Sequence, residues 1–305
     1  MAERGKRAVI AALTANSLIA AAKFVAAWLT HSSAMFAEGL HSLADVGNQV
    51  LLLVGINRSS RPPDHEHPFG YGKEKYFWSF LVAVTMFFVG SVLSIYRGLE
   101  GILNPRQLED PLVNYVVLGL SLLFEGYSLR VALSEVKQVV RGAWLHGLKE
   151  IKDPTLLVVL FEDSAALLGL LLALLGVSLS ALSGKAIFDA LASILIGLIL
   201  GAVAFYLARH TMDFLIGRSA SPEQCRLIAA AVREVPEVAE LVELLTMHIG
   251  PDQILVNLSV NFKDGLDTDQ IEQAIDKIER NIRQAVPEVS RIFVEAESIR
   301  RTTRG

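Results

Sequence analysis

The sequence predicts a membrane-spanning bundle of six α-helices, followed by a small α+β domain. Of the 305 residues, 52% are hydrophobic, and long apolar segments fill the first two thirds of the chain. After Arg209 the chain becomes more polar, and short helical segments alternate with β-rich ones. This apolar content is unusual for a soluble protein of this length. The single cysteine, Cys225, excludes an intrachain disulfide framework and a thiolate zinc site.

Six segments are long enough to cross a hydrocarbon layer about 30 Å thick. They cover residues 8–29, 34–57, 77–98, 112–133, 154–178 and 183–208. The last two are separated only by a short turn around Ser180 to Gly184, which predicts an antiparallel helical hairpin. Residues 134–153 are amphipathic and predict a helical extension of the fourth span.

The positive charges near the span ends predict the orientation in the membrane, because Lys and Arg collect on the cytoplasmic side. One side of the predicted bundle carries Arg4, Lys6, Arg7, Arg58, Arg61, Lys73, Lys75, Lys137, Arg141, Lys149 and Lys152, whereas the other carries Arg97, Arg106 and Lys185. Both termini are therefore predicted to be cytoplasmic. The formal net charge of -4 gives no argument for nucleic-acid binding.

The remainder of the chain predicts a small cytoplasmic domain with the element order αββαβ. Ser221 followed by Pro222 is typical of a helix N-terminus. The β-rich runs on either side of Gly250 to Asp252 predict a hairpin, residues 267–285 predict a charged helix, and residues 291–297 predict a last strand. This order suits a ferredoxin-like sheet with helices on one face. We therefore divide the chain into a membrane domain, 1–211, and a cytoplasmic domain, 212–305.

The second predicted span carries polar side chains that are costly at membrane depth. Glu38, His41, Asp45 and Asn48 are spaced three or four residues apart and share one broad helical stripe. Placing an ionisable side chain at the centre of a span costs about 2.5–3.5 kcal/mol even on lenient insertion scales. Such groups therefore indicate function. Imidazole and carboxylate together are ligands for first-row divalent metals, and protons compete for them. The alternative is a His–Asp hydrogen bond that joins helices.

Four further carboxylates lie in predicted spans. Glu162 and Asp163 are adjacent in the fifth, and their side chains point about 100° apart around a helix. Glu125 lies in the fourth and Asp189 near the start of the sixth. Each of these two suits either a proton relay or an anchor to hydroxyl and backbone groups of neighbouring helices.

Taken together, HSLAD in the second span, DHEHPFGYGKEK in the loop that follows it, six spans and the αββαβ tail resemble the cation diffusion facilitators. The resemblance covers nearly the whole chain. It implies a homodimeric antiporter that exports zinc or a related divalent ion from the cytoplasm in exchange for protons. It also implies that the metal is the transported substrate, that the protein is not an enzyme and that no cofactor is required.

The resemblance further implies a transport site with two residues from the second span and two from the fifth. The second-span pair falls on His41 and Asp45. In the fifth span the first position falls on Glu162 and the second on Ala166, so the expected fourth ligand is missing. The alternatives are a site completed by water, or one in which Asp163 or Asn48 replaces the lost ligand.

Two further metal sites of the family map poorly onto this chain. The loop site maps to Asp64 and His67, but its third position is Tyr71, which is a poor zinc ligand. In the tail, the paired histidines of a zinc-sensing domain are missing, with only His248 beyond the membrane boundary. We therefore expect a weak, regulatory or absent loop site and a tail that mainly dimerises.

The predicted function is proton-coupled export of a divalent cation by alternating access, in the cell inner membrane. Zinc is the first candidate because of the imidazole, while manganese or iron(II) suits the carboxylates of the fifth span. A metal-binding membrane scaffold that no longer transports is the alternative from a different class, motivated by Ala166. No HExxH motif occurs, which argues against an intramembrane metalloprotease.

Overall fold

The computed structural model describes residues 2–30, 33–104, 111–139, 151–185 and 187–297. Within these ranges, the side chains at 2–5, 26–30, 33–41, 111, 113, 114 and 139 are not described. The described chain divides into two compact units. The first contains residues 1–62 and 74–212, and the second contains residues 63–73 and 213–305.

All the described secondary structure of the first unit is helical. Its helices are α1 (Ala2–Thr30), α2 (Ser33–Ser59), α3 (Glu74–Thr85), a π-helical turn (Met86–Val92), α4 (Leu93–Leu103), α5 (Pro111–Val139), α6 (Pro154–Ser183) and α7 (Ile187–Ile216). In the described part of the chain, five segments are long and apolar enough to cross a membrane: Lys6–Val25, Glu74–Leu103, Tyr115–Gln138, Pro154–Ser183 and Ile187–Ile216. They correspond to five of the six predicted spans. Helix α2 has 27 residues but is not among these five segments, so a sixth span stays a prediction.

Helix α1 packs against α2, α5 and α6, and α5 also packs against α6. Helix α3 packs against α2 and α6. Glycines allow the closest approaches. A Cβ on Gly55 would lie 2.8 Å from Cβ of Trp78, and one on Gly98 would lie 2.5 Å from Cγ1 of Ile194. Small residues at such contacts let helix backbones approach within a membrane, where burial of apolar surface does not drive association.

The third span is interrupted, whereas the sequence predicts one regular helix over 77–98. A π-helical turn, Met86–Val92, separates α3 from α4. This turn lies where the span meets α7: Gly90 approaches Leu200, and Ser91 lies against Gly197 and Gly201. Such a π-turn is a single wide turn inside a helix, and apolar periodicity alone does not locate it.

The hairpin of α6 and α7 is confirmed, with its turn slightly later than predicted. Gly176 faces Ala192 while Gly169 faces Ile196, which is the order of antiparallel neighbours. Helix α6 continues to Ser183 and ends at Gly184, whose φ of 68° is the left-handed conformation that glycine adopts readily. The predicted extension of the fourth span is observed as far as Val139, and residues 140–150 lie outside the described part.

The second unit confirms the predicted order αββαβ. Its elements are α8 (Pro222–Arg233), β1 (Val238–Gly250), β2 (Gln253–Phe262), α9 (Thr268–Ala285) and β3 (Val289–Ala296). Strands β1 and β2 form an antiparallel hairpin, and β3 pairs in parallel with β2, so that β2 lies in the middle. Both helices begin with reciprocal capping hydrogen bonds, from Ser221 and Gln224 in α8 and from Asp267 and Gln270 in α9.

The two faces of this sheet differ. Ile254, Val256, Leu258 and Val260 of β2 are fully buried in a core with α8 and α9, as the alternation predicts. The opposite face is more apolar than predicted, since Leu245 and Phe293 flank Asn257 across the three strands. The side chains of Leu245 and Phe293 are about half exposed, at 53% and 50%.

Candidate metal centre

Glu162 joins α6 to α2 inside the membrane unit. Its Oε1 accepts a hydrogen bond from Nδ2 of Asn48 at 3.1 Å, and its Oε2 accepts one from Nε2 of Gln49 at 2.7 Å. All three side chains are buried. A carboxylate removed from water needs such donors, because burial without hydrogen bonds is costly. The two amides therefore fix the direction of Glu162 towards α2.

Asp163 has a different neighbour from Glu162. Its Oδ2 accepts a hydrogen bond from the hydroxyl of Ser128 on α5 at 2.6 Å, and Asp163 is almost completely buried. The two adjacent carboxylates thus contact different helices, as the rotation of about 100° per helical residue requires. Ser128 carries no sequence signal for this contact, because it lies on a different helix from Asp163.

Four carboxyl groups lie close enough to act on one another electrostatically: Asp45, Glu125, Glu162 and Asp163. Asp45 is half-buried, and the other three are buried. Lys23 of α1 is buried near Glu125, and its Nζ donates a hydrogen bond to Oγ of Ser42 at 2.8 Å. A cluster with this excess of acidic groups suits a divalent cation, since like charges at low dielectric repel strongly.

Gln49 is a further member of this region that the sequence analysis did not single out. It lies four residues after Asp45, which lies four after His41, so the signal was one more step of the same spacing. Two buried amide oxygens, Oδ1 of Asn48 and Oε1 of Gln49, have no hydrogen-bond partner among the described residues. Buried acceptors of this kind are unusual and require an explanation.

The side chains of Glu38 and His41 lie outside the described residues, and α2 places the backbone of residue 41 one turn before Asp45. Among the described residues, no group of three His, Cys, Asp or Glu side chains could hold a metal ion. The acidic cluster lies among α2, α5 and α6, and its use as a metal centre with His41 as a ligand stays a prediction.

Comparison with known proteins decides the family. Residues 9–216 match the model of the cation efflux transmembrane domain, which covers α1 to α7. The chain belongs to the cation diffusion facilitator family. It is 36% identical over 283 residues to the proton-coupled zinc antiporter SLC30A9, mitochondrial, of Xenopus laevis, covering 91% of this chain and 51% of that protein.

Two further relatives broaden the comparison. Metal tolerance protein C4 of Arabidopsis thaliana is 34% identical, covering 85% of this chain and 58% of that protein. The manganese efflux system protein MneP of Bacillus subtilis is 28% identical, covering 96% and 94%. This chain spans about half the length of the SLC30A9 proteins that it matches. As a member of this family it is a multi-pass membrane protein.

The loop residues that correspond to the family's loop metal site are hydrogen-bonded to one another. Oδ1 of Asp64 accepts from the backbone N–H groups of Glu66 and His67, and Oδ2 accepts from the hydroxyl of Tyr71 at 2.7 Å. The ring centroids of His67 and Tyr71 are 4.3 Å apart. The Tyr71 hydrogen bond, followed by the His67 N–H, lowers the pKa of Asp64 below its usual value. Tyr71 thus satisfies the carboxylate that a metal would otherwise bind.

Replacing Tyr71 by histidine is therefore expected to create a zinc site in the loop. Asp64 and His67 are already neighbours, with Oδ1 and Nδ1 3.8 Å apart, and a histidine at 71 would add a third ligand. Calorimetric zinc titration of Tyr71→His in an Asp45→Asn background, where the membrane centre is disabled, measures the gain. Tyr71→Phe is the matched control and should gain no zinc binding. If Tyr71→His also binds none, the loop does not hold these positions together.

The other polar groups singled out from the sequence lie apart from this centre or in the second unit. Asp189 is half-buried at the start of α7, where its backbone N–H donates to Oγ of Ser180. In the second unit His248 is buried, and its ring lies 5.4 Å from that of Phe214. Glu125, by contrast, joins the acidic cluster, although the sequence shows no partner for it at helical spacing.

Proposed function

We propose that this protein exports a divalent cation, with Zn²⁺ first, in exchange for protons by alternating access. The observation that carries the proposal is the buried acidic cluster of Asp45, Glu125, Glu162 and Asp163, in which the contacts of Glu162 are to neutral amides. A divalent cation supplies the charge that such a cluster needs. Two relatives, a zinc antiporter and a manganese efflux protein, support the same substrate class.

In this proposal His41, Asp45 and Glu162 bind the cation, and Asp163 and Asn48 are auxiliary. Ligands must lose their protons before they coordinate a metal, so cation entry releases protons and cation exit takes them up. Histidine is the side chain that titrates nearest to neutral pH, which makes His41 suited to couple the two. The contact of Glu162 with α2 supports its choice over Asp163, whose hydrogen bond is to α5.

The proposal includes six spans with both termini in the cytoplasm, location in the cell inner membrane and a homodimer. Residues 1–211 form the transport domain and residues 212–305 the dimerisation and regulatory domain. Helix α2 is the sixth span, because 27 helical residues are about 40 Å long and exceed the hydrocarbon thickness. Mn²⁺ or Fe²⁺ is the alternative substrate, favoured by the carboxylates and amide groups around Glu162.

Proteoliposomes with an internal pH dye test this function directly. We expect Zn²⁺ uptake to drive proton movement in the opposite direction, with Mn²⁺ and Fe²⁺ measured in parallel. Cation uptake without proton movement would contradict the coupling. If the purified protein binds cations but moves none, the alternative of a non-transporting membrane scaffold is correct.

The homodimer leads to a second expectation, which concerns the open face of the sheet. Leu245 and Phe293 expose apolar surface on the side not covered by α8 and α9. We expect the purified full chain to sediment as a dimer in chelator as well as in zinc, and Leu245→Arg to weaken that dimer. Leu227→Arg is the matched control, since Leu227 is 43% exposed on α8. A chain that dimerises only when zinc is added would contradict a metal-independent interface.

A further inference from the structure

Gln49 is a buried residue of the membrane unit that is not one of the family's paired ligands. It follows His41 and Asp45 at successive steps of four residues, so that the three residues share one stripe of α2. Its side chain is completely buried, and its Nε2 makes the shorter of the two amide contacts to Glu162, at 2.7 Å. The side chain therefore contacts the fifth-span carboxylate from the same stripe of α2 that carries Asp45.

The charge of the donors matters for a carboxylate that must receive a cation. An arginine or lysine paired with Glu162 would cancel its charge and repel an incoming divalent ion. Neutral amides hold the carboxylate in place by hydrogen bonds and leave its negative charge available. The contacts from Asn48 and Gln49 thus fix Glu162 when no ion is bound without competing electrostatically with the ion.

A carboxamide also offers an oxygen, which a divalent cation can use. Oε1 of Gln49 and Oδ1 of Asn48 are buried and have no hydrogen-bond partner among the described residues. A buried acceptor without a donor costs free energy that a bound cation would recover. Amide carbonyl oxygens are hard ligands, suited to Mn²⁺ more than to Zn²⁺, which prefers nitrogen and sulfur.

We propose that Gln49 is a further cation-contacting residue of the transport site. In the ion-free state its N–H group holds Glu162, and when a cation takes Glu162 the amide turns to offer its oxygen to the ion. This inference rests on the proposed transport function and extends it to selectivity. Gln49 then raises the affinity for Mn²⁺ relative to Zn²⁺.

Calorimetric titration of the purified full chain with Mn²⁺ and with Zn²⁺ tests the role of Gln49. Gln49→Met keeps the length of the side chain and removes both amide atoms. We expect it to weaken Mn²⁺ binding about tenfold, the scale of one lost interaction with a charged group. The loss for Zn²⁺ should be smaller. Gln49→Glu, which keeps an oxygen there, should recover most of the lost Mn²⁺ affinity.

Gln138→Met is the matched control, because Gln138 is an exposed glutamine of α5 whose side chain donates to the Ser134 carbonyl. It should bind both cations like the unmodified chain. Unchanged affinities in Gln49→Met would overturn the proposal. Equal losses for both ions, or no recovery in Gln49→Glu, would overturn the oxygen-ligand role and reduce Gln49 to positioning Glu162.

An Asp45→Asn arm separates this inference from the proposed function. If Asp45→Asn still transports while Gln49→Met loses Mn²⁺ affinity, the transport-site assignment fails and the Gln49 contact stands. If Asp45→Asn loses transport while Gln49→Met matches the unmodified chain for both ions, only the Gln49 inference fails.

Discussion

Asp45→Asn is expected to abolish cation transport, with a fall in rate of about a hundredfold or more. The substitution keeps the shape of the side chain and removes the charge of the α2 carboxyl group that acts on Glu162 and Asp163. Losing even an outer partner of a metal ligand costs about 10–100-fold, so losing a ligand should cost at least the upper value. His41→Ala should have a similar effect. Uptake of Zn²⁺ into proteoliposomes by monodisperse, folded variants is the measurement.

Three further variants calibrate the result. Glu162→Gln should lose nearly as much transport as Asp45→Asn, since Glu162 is the α6 carboxylate in contact with α2. Asp163→Asn should lose less, because Ser128 on α5 is its hydrogen-bond partner. Asp189→Asn, outside the acidic cluster, is the control and should transport normally. Transport by Asp45→Asn at the rate of the unmodified chain would show that the site is elsewhere.

The apolar spans and the tail could be predicted because each depends on local pattern. The run of apolar residues fixes where α6 and α7 lie, and alternation in β2 predicts that Val256 and Leu258 face the helices. The π-helical turn at Met86–Val92 could not be predicted in this way. It depends on how Ser91 of the third span fits against Gly197 and Gly201, which are distant in sequence.

The candidate site shows the same division. Spacing along one helix predicts that His41, Asp45 and Asn48 share a face, and the same argument extends to Gln49. Spacing cannot predict the hydrogen bond from Gln49 to Glu162 or the one from Ser128 to Asp163, because each joins residues on different helices. Glu125 likewise enters the cluster only through the packing of the bundle.

A second large effect is expected from the buried ion pair between α3 and the start of α6. Nζ of Lys75 lies 2.7 Å from Oδ2 of Asp153, and both side chains are only 4% exposed. Oδ1 of Asp153 also accepts the backbone N–H of Thr155 and caps α6. The ion pair therefore connects α3 to the start of α6. No local sequence pattern predicts this pair.

Lys75→Met should destabilise the protein by about 3–5 kcal/mol, because the charge of Asp153 is left buried without its partner. Asp153→Asn should cost a similar amount for the reverse reason, although asparagine can still cap the helix. The double variant Lys75→Met with Asp153→Asn leaves no buried charge, so it should be more stable than either single variant. Thermal unfolding in detergent compares the three variants.

Lys277→Met is the control, because it removes an exposed ion pair with Glu237 at 2.6 Å and should change the unfolding midpoint little. The decrease in unfolding temperature of the double variant is then compared with the sum of the decreases in the two single variants. If the two values are equal, Lys75 and Asp153 stabilise the fold independently and not as a pair.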